Sequence, residues 1–234
     1  MTPEVKGTVM YEHLLYKGNP KNRPLPKVLS IKDISKILLS IQNSNAYTKN
    51  KNLKDWSNFL KIRDITCIAV CYICALRPLE VCMLRFEDFD LKHSLLKVRG
   101  CSNKLKKDRI IPIPKVLYQY LKVYLKFPRE RFWKGSPYLF VSMERPHLSS
   151  KRIEVILRER ALKPLGLWRS GEVSTYTLRH SRASHILEKQ VKENKVPDLY
   201  AISNLLGHSD IRSTTVYLHT DKNYMEYLRK QIEI

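Results

Sequence analysis

Acidic residues are scarce in this sequence of 234 residues, which has 22 Asp and Glu against 43 Lys and Arg and a formal net charge of +21 at pH 7. Charge of this density repels itself, and the usual partner that balances it is a polyanion. Nucleic acid is therefore the first partner class indicated, and an anionic membrane surface is the second. Hydrophobic residues make up 43% of the chain, close to the globular average, which excludes disorder over the whole length.

Long apolar segments are also missing. The longest apolar run, Ile65–Leu76, is shorter than the roughly 18 residues that cross a bilayer. The first residues do not show the basic region and following apolar region of a secretory signal. The sequence therefore predicts no membrane partner.

Glycine is rare as well, with seven residues in all and no G-x-x-x-x-G-K-[ST] segment that would form a nucleotide-binding loop. The carboxylates do not cluster as they do in nucleases that use two metal ions. Phosphoryl chemistry in this protein would therefore depend on cationic side chains and a nucleophile from the protein.

The five cysteines are odd in number, and four of them lie between Cys67 and Cys82, which does not resemble a disulfide framework. A reduced, cytoplasmic setting fits this pattern. The Cys71-x-x-Cys74 pair has no second pair of zinc ligands at a suitable spacing. Apolar residues around it recur at helical spacing, so we interpret these cysteines as part of a buried helix.

Hydrophobic periodicity predicts a mainly α-helical fold with a small antiparallel β-hairpin sheet, which is an α+β class. Ser30 and Asp33 have the spacing of a capping box at a helix start. Strands are predicted near Leu96–Val98 and Ile110–Ile113, on either side of a polar turn. Helices are predicted at about 31–41, 63–76, 78–85, 115–126, 149–162, 176–191, 198–206 (with Gly207 as its C-cap) and 210–218.

The predicted hairpin turn is rich in basic residues, with Lys104, Lys106, Lys107 and Arg109 close together. Such a cluster is typical of a solvated loop, and it is also suited to contact DNA phosphates. We predict that Lys106, Lys107 and Arg109 bind DNA.

Three segments carry residue types suited to phosphate chemistry: residues 74–80 (CALRPLE), residues 178–185 (LRHSRASH) and residues 206–208 (LGH), the last with Tyr217 nine residues beyond His208. They resemble the signature boxes of the tyrosine recombinases, the family of phage integrases and Xer-type resolvases. The family's Leu-Arg-His-[Ser/Thr]-x-Ala-[Ser/Thr]-His box matches residues 178–185, which read LRHSRASH. Its Leu-Gly-His box matches residues 206–208, and Tyr217 follows His208 by nine residues. Residues 74–80, CALRPLE, resemble the Gly-Leu-Arg-x-x-Glu box, with Ala75 in place of glycine.

The resemblance spans residues 26–234 with the boxes in the expected order, and it implies the family's catalytic-domain fold. It also implies that Arg77 and Arg179 are the catalytic arginines, His208 the later catalytic histidine and Tyr217 the nucleophile. The family's lysine is matched by Lys104 when counted back from the second strand, whereas counting forward from Gly100 gives Cys101, so this turn departs in length from the family pattern.

The family usually has histidine where this chain has Tyr176. A tyrosine can donate a hydrogen bond to a phosphate oxygen but cannot take up a proton near neutral pH as imidazole does. We therefore expect Tyr176 to belong to the site and the activity to be weakened or retuned.

By resemblance, the protein is a site-specific recombinase that acts on double-stranded DNA through a 3′-phosphotyrosyl intermediate, without metal, ATP or another cofactor. It would assemble as a tetramer in synapsis, in the cytoplasm and with the nucleoid in a prokaryote. Two alternatives stay open: a DNA-binding relative that has lost turnover, and a topoisomerase that uses the same covalent step to relax supercoils.

The predicted organisation is a linker or N-terminal extension over residues 1–27, a catalytic domain over 28–220 and a tail helix over 221–234. Family members carry a separate N-terminal helical domain, and the sequence leaves open whether one was removed here. The tail has the pattern of an amphipathic helix, which in the family docks on a neighbouring subunit; packing on its own domain is the alternative.

Overall fold

The computed structural model describes residues 27–44, 54–102, 106–126, 135–142, 145–167, 173–193, 195–208 and 214. These residues form a mostly helical fold with one small sheet, as predicted. The helices are α1 (Ile31–Asn43), α2 (Lys54–Ile73), α3 (Pro78–Cys82), α4 (Lys115–Lys126), α5 (Ser150–Ile156), α6 (Thr175–Lys192) and α7 (Leu199–Leu206). The strands are β1 (Phe89–Asp90), β2 (Leu95–Val98) and β3 (Arg109–Pro112).

Helix α1 begins with the predicted capping box. The Ser30 hydroxyl accepts a hydrogen bond from the Asp33 amide at 3.1 Å, and the Asp33 carboxylate accepts one from the Ser30 amide at 3.2 Å. These bonds satisfy amide groups that have no partner inside the helix, a contribution of about 1 kcal/mol.

Helix α2 is the central helix of the core and packs against α1, α4 and α6. It begins at Lys54, whereas the sequence predicted a helix only from about residue 63. The first half of α2 follows a polar stretch of the sequence, and it is held by Phe59, which is fully buried beside Tyr124 of α4. The cysteines of α2, Cys67 and Cys71, are fully buried, which confirms their interpretation as core residues.

The sheet is antiparallel, in the order β1-β2-β3. Leu96 of the central strand pairs with Phe89 on one side and with Ile111 on the other. The two longer strands confirm the predicted hairpin. The third strand, β1, was not predicted, since two residues are too few to show an alternating pattern.

The later helices agree with the sequence, with one difference. The predicted helix at 149–162 is α5 followed by a π-helical segment, Leu157–Leu162. Gly207 ends α7 in the left-handed conformation, with φ of 60°, and so confirms the predicted C-cap. Residues 1–26, the tail at 221–234 and, apart from Thr214, the predicted helix at 210–218 lie outside the described residues.

A search of the described helices for one long and apolar enough to cross a bilayer found none.

Candidate active site

Arg77 lies at the start of α3, where Pro78 takes the first helical position and needs no amide partner. Its guanidinium donates from Nη1 to Glu80 Oε1 at 3.2 Å and from Nη2 to the Gly207 carbonyl at 3.2 Å. About a quarter of the side chain (24%) is exposed. Arg77 therefore joins α3 to the C-terminal end of α7 and still faces solvent in part.

Arg179 lies in α6 and is almost completely buried, with 3% of its side chain exposed. Nη1 donates to the Ala75 carbonyl at 2.6 Å, and Nη2 donates to the carbonyl of Leu206. Ala75 has φ of 51°, in the left-handed region that favours glycine. That conformation gives a physical reason for glycine at the corresponding place in the box that residues 74–80 resemble.

Glu80 is a carboxylate that Arg77, Arg109 and Arg179 all approach. Its carboxylate accepts from Arg77, receives two bonds from Arg109 at 2.8 and 2.9 Å, and lies 4.0 Å from Arg179. Burial acts to raise the pKa of Glu80, but the hydrogen bonds and charge of Arg109, with help from Arg77 and Arg179, outweigh it and lower that pKa. Three guanidiniums thus share one ionised carboxylate, and the cluster carries a net positive charge suited to an anion.

His208 follows the glycine that ends α7, and its amide donates to the Ser203 carbonyl at 3.1 Å. Its Nδ1 lies 2.9 Å from the Thr214 hydroxyl. Burial, followed by the positive charges of Arg179 and Arg77, lowers the pKa of His208 to about 4. The imidazole is therefore neutral at pH 7, with one N–H to donate.

An open cleft of about 300 Å³ lies beside His208. It is lined by β3 and the residues before it on one side and by the C-terminal end of α7 on the other; the lining residues are Lys107, Asp108, Arg109, Ile110, Asn204, Gly207 and His208. The cleft therefore joins the predicted DNA-binding hairpin to the predicted catalytic histidine.

The structure brings together three predicted catalytic residues, Arg77, Arg179 and His208, around residues 206–207. Tyr176 lies in the first turn of α6, and its side chain is 52% exposed. No described hydrogen bond joins Tyr176 to the arginines, so its place in the site stays a prediction. Lys104 and Tyr217 lie outside the described residues.

The predicted DNA-binding residues separate into two groups. Lys106 and Lys107 are exposed, as expected of residues that contact DNA. Arg109 is different, since its side chain is 13% exposed and its guanidinium is bonded to Glu80. The placement of Arg109 among exposed turn residues was therefore wrong, and a DNA contact by this residue stays a prediction.

Two features of the site were not predicted from the sequence. One is the central carboxylate, although the Arg-x-x-Glu spacing at a helix start is itself a sign that the glutamate can bond back to the preceding turn. The other is Thr214, which lies six residues after His208 and is fully buried. No local pattern marks Thr214 as a partner of the imidazole.

Comparisons with known proteins agree with this arrangement. Residues 37–224 match the family model described as "Phage integrase family". The chain is 34% identical over 212 residues to tyrosine recombinase XerA of Pyrococcus furiosus, covering 89% of this chain and 63% of that relative. It is 31% identical over 204 residues to tyrosine recombinase XerD of Staphylococcus saprophyticus, covering 86% of this chain and 61% of that relative. The chain thus spans less than two thirds of these relatives' length.

Solved structures with the same fold include a crystal structure of XerA recombinase, with a TM-score of 0.68 and 25% identity over 92% of this chain and 68% of that chain. The XerH recombinase bound to a palindromic difH substrate, a post-cleavage complex, has a TM-score of 0.66 and 22% identity over 90% of this chain and 54% of that chain. At that identity the likeness to XerH shows the fold alone. Because the family model matches most of the chain, the chain belongs to the phage integrase family of tyrosine recombinases.

Proposed function

We propose that this protein is a site-specific DNA recombinase that cuts and rejoins strands through a 3′-phosphotyrosyl bond to Tyr217. One observation carries the proposal: Arg77 and Arg179 bond to the carbonyls of residues 207 and 206, directly before His208. Two guanidinium forks and an imidazole from separate parts of the chain therefore converge beside an open cleft. Such a cationic group of donors suits a phosphodiester whose oxygens gain negative charge during cleavage.

In the proposed reaction, the hydroxyl of Tyr217 gives up its proton to solvent water as its oxygen attacks the phosphorus of one backbone phosphate. A bond forms between the phosphorus and the tyrosine oxygen, and the bond to the 5′-oxygen breaks. We assign to Lys104 the proton that this leaving oxygen takes up. The phosphodiester energy is kept in the covalent link, so a second 5′-hydroxyl can reverse the step without ATP.

The described residues would act on the non-bridging oxygens of that phosphate. Arg77 is the partly exposed fork, and Arg179 is the buried one whose orientation is held by two carbonyls. His208 would donate a single N–H, that of Nε2 if Nδ1 accepts from the Thr214 hydroxyl, since its pKa of about 4 leaves the ring neutral at pH 7. Tyr176, exposed in the same helix as Arg179, would donate from its hydroxyl where the family usually has histidine.

The proposed partner is double-stranded DNA, contacted by Lys106 and Lys107 beside the cleft. Membership of the phage integrase family supports this class of partner. We also propose that the protein forms a tetramer in synapsis and that residues 221–234 dock on a neighbouring subunit. The assignment of residues 28–220 as the catalytic domain belongs to the same proposal.

The nucleophile is tested with Tyr217→Phe. A DNA site is first selected by binding from a random duplex pool, and a nicked suicide duplex is built on it. We expect the wild-type chain to form a covalent complex on a denaturing gel and Tyr217→Phe to form none while binding DNA with near wild-type affinity, because affinity comes mainly from Lys and Arg. Covalent complex from the variant would contradict the assignment, and relaxation of supercoiled DNA without a specific site would favour a topoisomerase.

The role of Tyr176 is tested with the same duplex in single-turnover cleavage. Loss of one donor to a developing oxyanion costs on the order of 10²–10³ in rate, so Tyr176→Phe should cleave slower by about that factor. Tyr176→His should keep or raise the rate. Wild-type cleavage by Tyr176→Phe would remove this residue from the site.

A further inference from the structure

Arg109 of β3 makes three side-chain hydrogen bonds beside the cleft. Nη1 and Nη2 donate to the two oxygens of Glu80 at 2.8 and 2.9 Å, a bidentate pair, and Nε donates to the Leu205 carbonyl at 3.3 Å. The Glu80 side chain is fully buried, and that of Arg109 is 13% exposed. All three nitrogens of this guanidinium therefore donate hydrogen bonds to the protein.

The same carboxylate holds Arg77. Glu80 accepts from the Arg77 amide at 2.9 Å and from Nη1 at 3.2 Å, and Nη2 of Arg77 reaches the Gly207 carbonyl. A buried carboxylate that loses one of its cationic partners keeps its full charge and attracts the remaining ones more strongly. Without Arg109, the fork of Arg77 would be drawn toward Glu80 and away from any bound phosphate.

Gly207 lies directly against Arg109. A Cβ at Gly207 would be 2.9 Å from Nη1 and 3.0 Å from Cζ of that side chain. The bond from Nε to the Leu205 carbonyl fixes the guanidinium against the last turn of α7, the turn that ends at Gly207 and places His208. Arg109 therefore contacts both the partner of Arg77 and the helix end before His208.

We infer that Arg109 is a positioning residue of the site: it holds Glu80 and the end of α7 so that Arg77 and His208 face the phosphate in a fixed geometry. This inference rests on the proposed function and deepens it. It replaces the DNA contact predicted for Arg109 with a role inside the protein. Lys107, two residues earlier and exposed, keeps the predicted DNA contact.

The experiment compares Arg109→Gln and Arg109→Lys with the wild-type chain on the selected suicide duplex. Both DNA affinity over a range of salt and cleavage at saturating DNA are measured. A displacement of about 1 Å at a reacting group costs roughly 10² in rate, so Arg109→Gln should cleave about 10²-fold slower with unchanged affinity and salt slope. Arg109→Lys keeps the charge but loses the fork, so its cleavage rate should lie between those of the wild-type chain and Arg109→Gln. Lys122→Gln, an exposed charge on α4, is the charge-matched control and should cleave as wild type does.

Two results of the cleavage and binding measurements would overturn the inference. One is wild-type cleavage by Arg109→Gln at saturating DNA. The other is weaker binding with a flatter salt slope and an unchanged saturated rate, which would make Arg109 a DNA contact. If Arg109→Gln does not fold, as judged by circular dichroism, the same criteria apply to Arg109→Lys.

A second readout does not depend on activity. The groups facing His208 include Arg77, Arg109, Arg179 and His180, and Glu80 lies among the arginines. Removing Arg109 leaves the negative charge of Glu80 less compensated, so the pKa of His208, followed by NMR and identified through His208→Asn, should rise in Arg109→Gln. An unchanged pKa would overturn the inference. A wild-type chain that forms no covalent complex would instead contradict the proposed function, and the NMR titration would still show whether Arg109 acts on the surroundings of His208.

Discussion

At the scale of single residues, His208 shows how a cationic site controls the state of its imidazole. Burial and the charges of Arg179 and Arg77 lower its pKa to about 4, and burial also lowers the pKa values of His180 and His185 in α6. A histidine whose pKa is lower in the folded chain stabilises the fold while it is neutral. Its contribution is complete above the unfolded pKa of about 6.5 and is lost as the pH falls from there toward 4.

This sign predicts that the free energy of unfolding falls between pH 6.5 and pH 4.5, because the unfolded chain then binds more protons than the folded one. Of these histidines, His208 has the largest downward shift in pKa. In His208→Asn the free energy of unfolding should therefore fall less steeply with decreasing pH. The measurement is urea unfolding at half-unit steps of pH for both chains. Parallel curves would mean that His208 is protonated equally in the folded and unfolded states.

At the scale of elements, the turn between β2 and β3 depends on close backbone approach. A Cβ on Gly100 would lie 2.5 Å from the carbonyl carbon of Lys106 and 2.8 Å from the amide nitrogen of Lys107. The Asp108 carboxylate accepts a hydrogen bond from the Gly100 amide at 2.7 Å and forms an ion pair with Lys97 at 2.8 Å. These contacts join the two ends of the turn. The basic residues of the turn are thus placed by contacts between its two arms.

We expect Gly100→Ala to destabilise the protein by about 1–3 kcal/mol, because the added methyl group overlaps backbone that has no room to move. Cleavage should also slow, since the turn carries Lys104 and leads into Arg109. Gly166→Ala is the matched control, since Gly166 has φ of 71° and nothing lies within 4 Å of an added Cβ. Backbone strain alone should lower the stability of this variant by about 1–2 kcal/mol, and its cleavage rate should stay at the wild-type value. Urea unfolding and single-turnover cleavage test both variants, and equal cleavage by Gly100→Ala and the wild-type chain would argue against a functional role for the turn.

At the scale of the whole molecule, the net charge of +21 sets the salt dependence expected of the proposed binding to DNA. Each phosphate that a basic side chain neutralises releases a counterion, so the logarithm of affinity falls with the logarithm of salt with a slope of about −0.9 per phosphate. This attraction does not depend on DNA sequence, and it supplies affinity rather than cleavage.

The double variant Lys106→Gln/Lys107→Gln should reduce the size of that slope by about 1–2, because each phosphate that is no longer neutralised retains about one counterion. The control is Lys122→Gln/Lys126→Gln, which removes the same charge from exposed positions on α4 and should leave the slope unchanged. Fluorescence anisotropy between about 50 and 200 mM salt measures both. Equal slopes for the two double variants would return Lys106 and Lys107 to the interpretation as solvated loop residues.

The sequence by itself determined what depends on neighbours along the chain. The capping box at Ser30, the C-cap at Gly207 and the apolar faces of the later helices are local patterns, and the structure confirms them. The order and spacing of the three boxes also marked Arg77, Arg179 and His208, since those residues are recognised by what stands beside them.

Only the tertiary structure decided which side chains share partners. The first half of α2 is helical because Phe59 packs on Tyr124, a residue of α4 that follows by more than sixty positions. Arg109 carries the same charge as the lysines before it, and its bonds to Glu80 arise because β3 folds back against α3. A charge in a sequence shows its sign alone, and whether it meets DNA or a buried carboxylate depends on long-range packing.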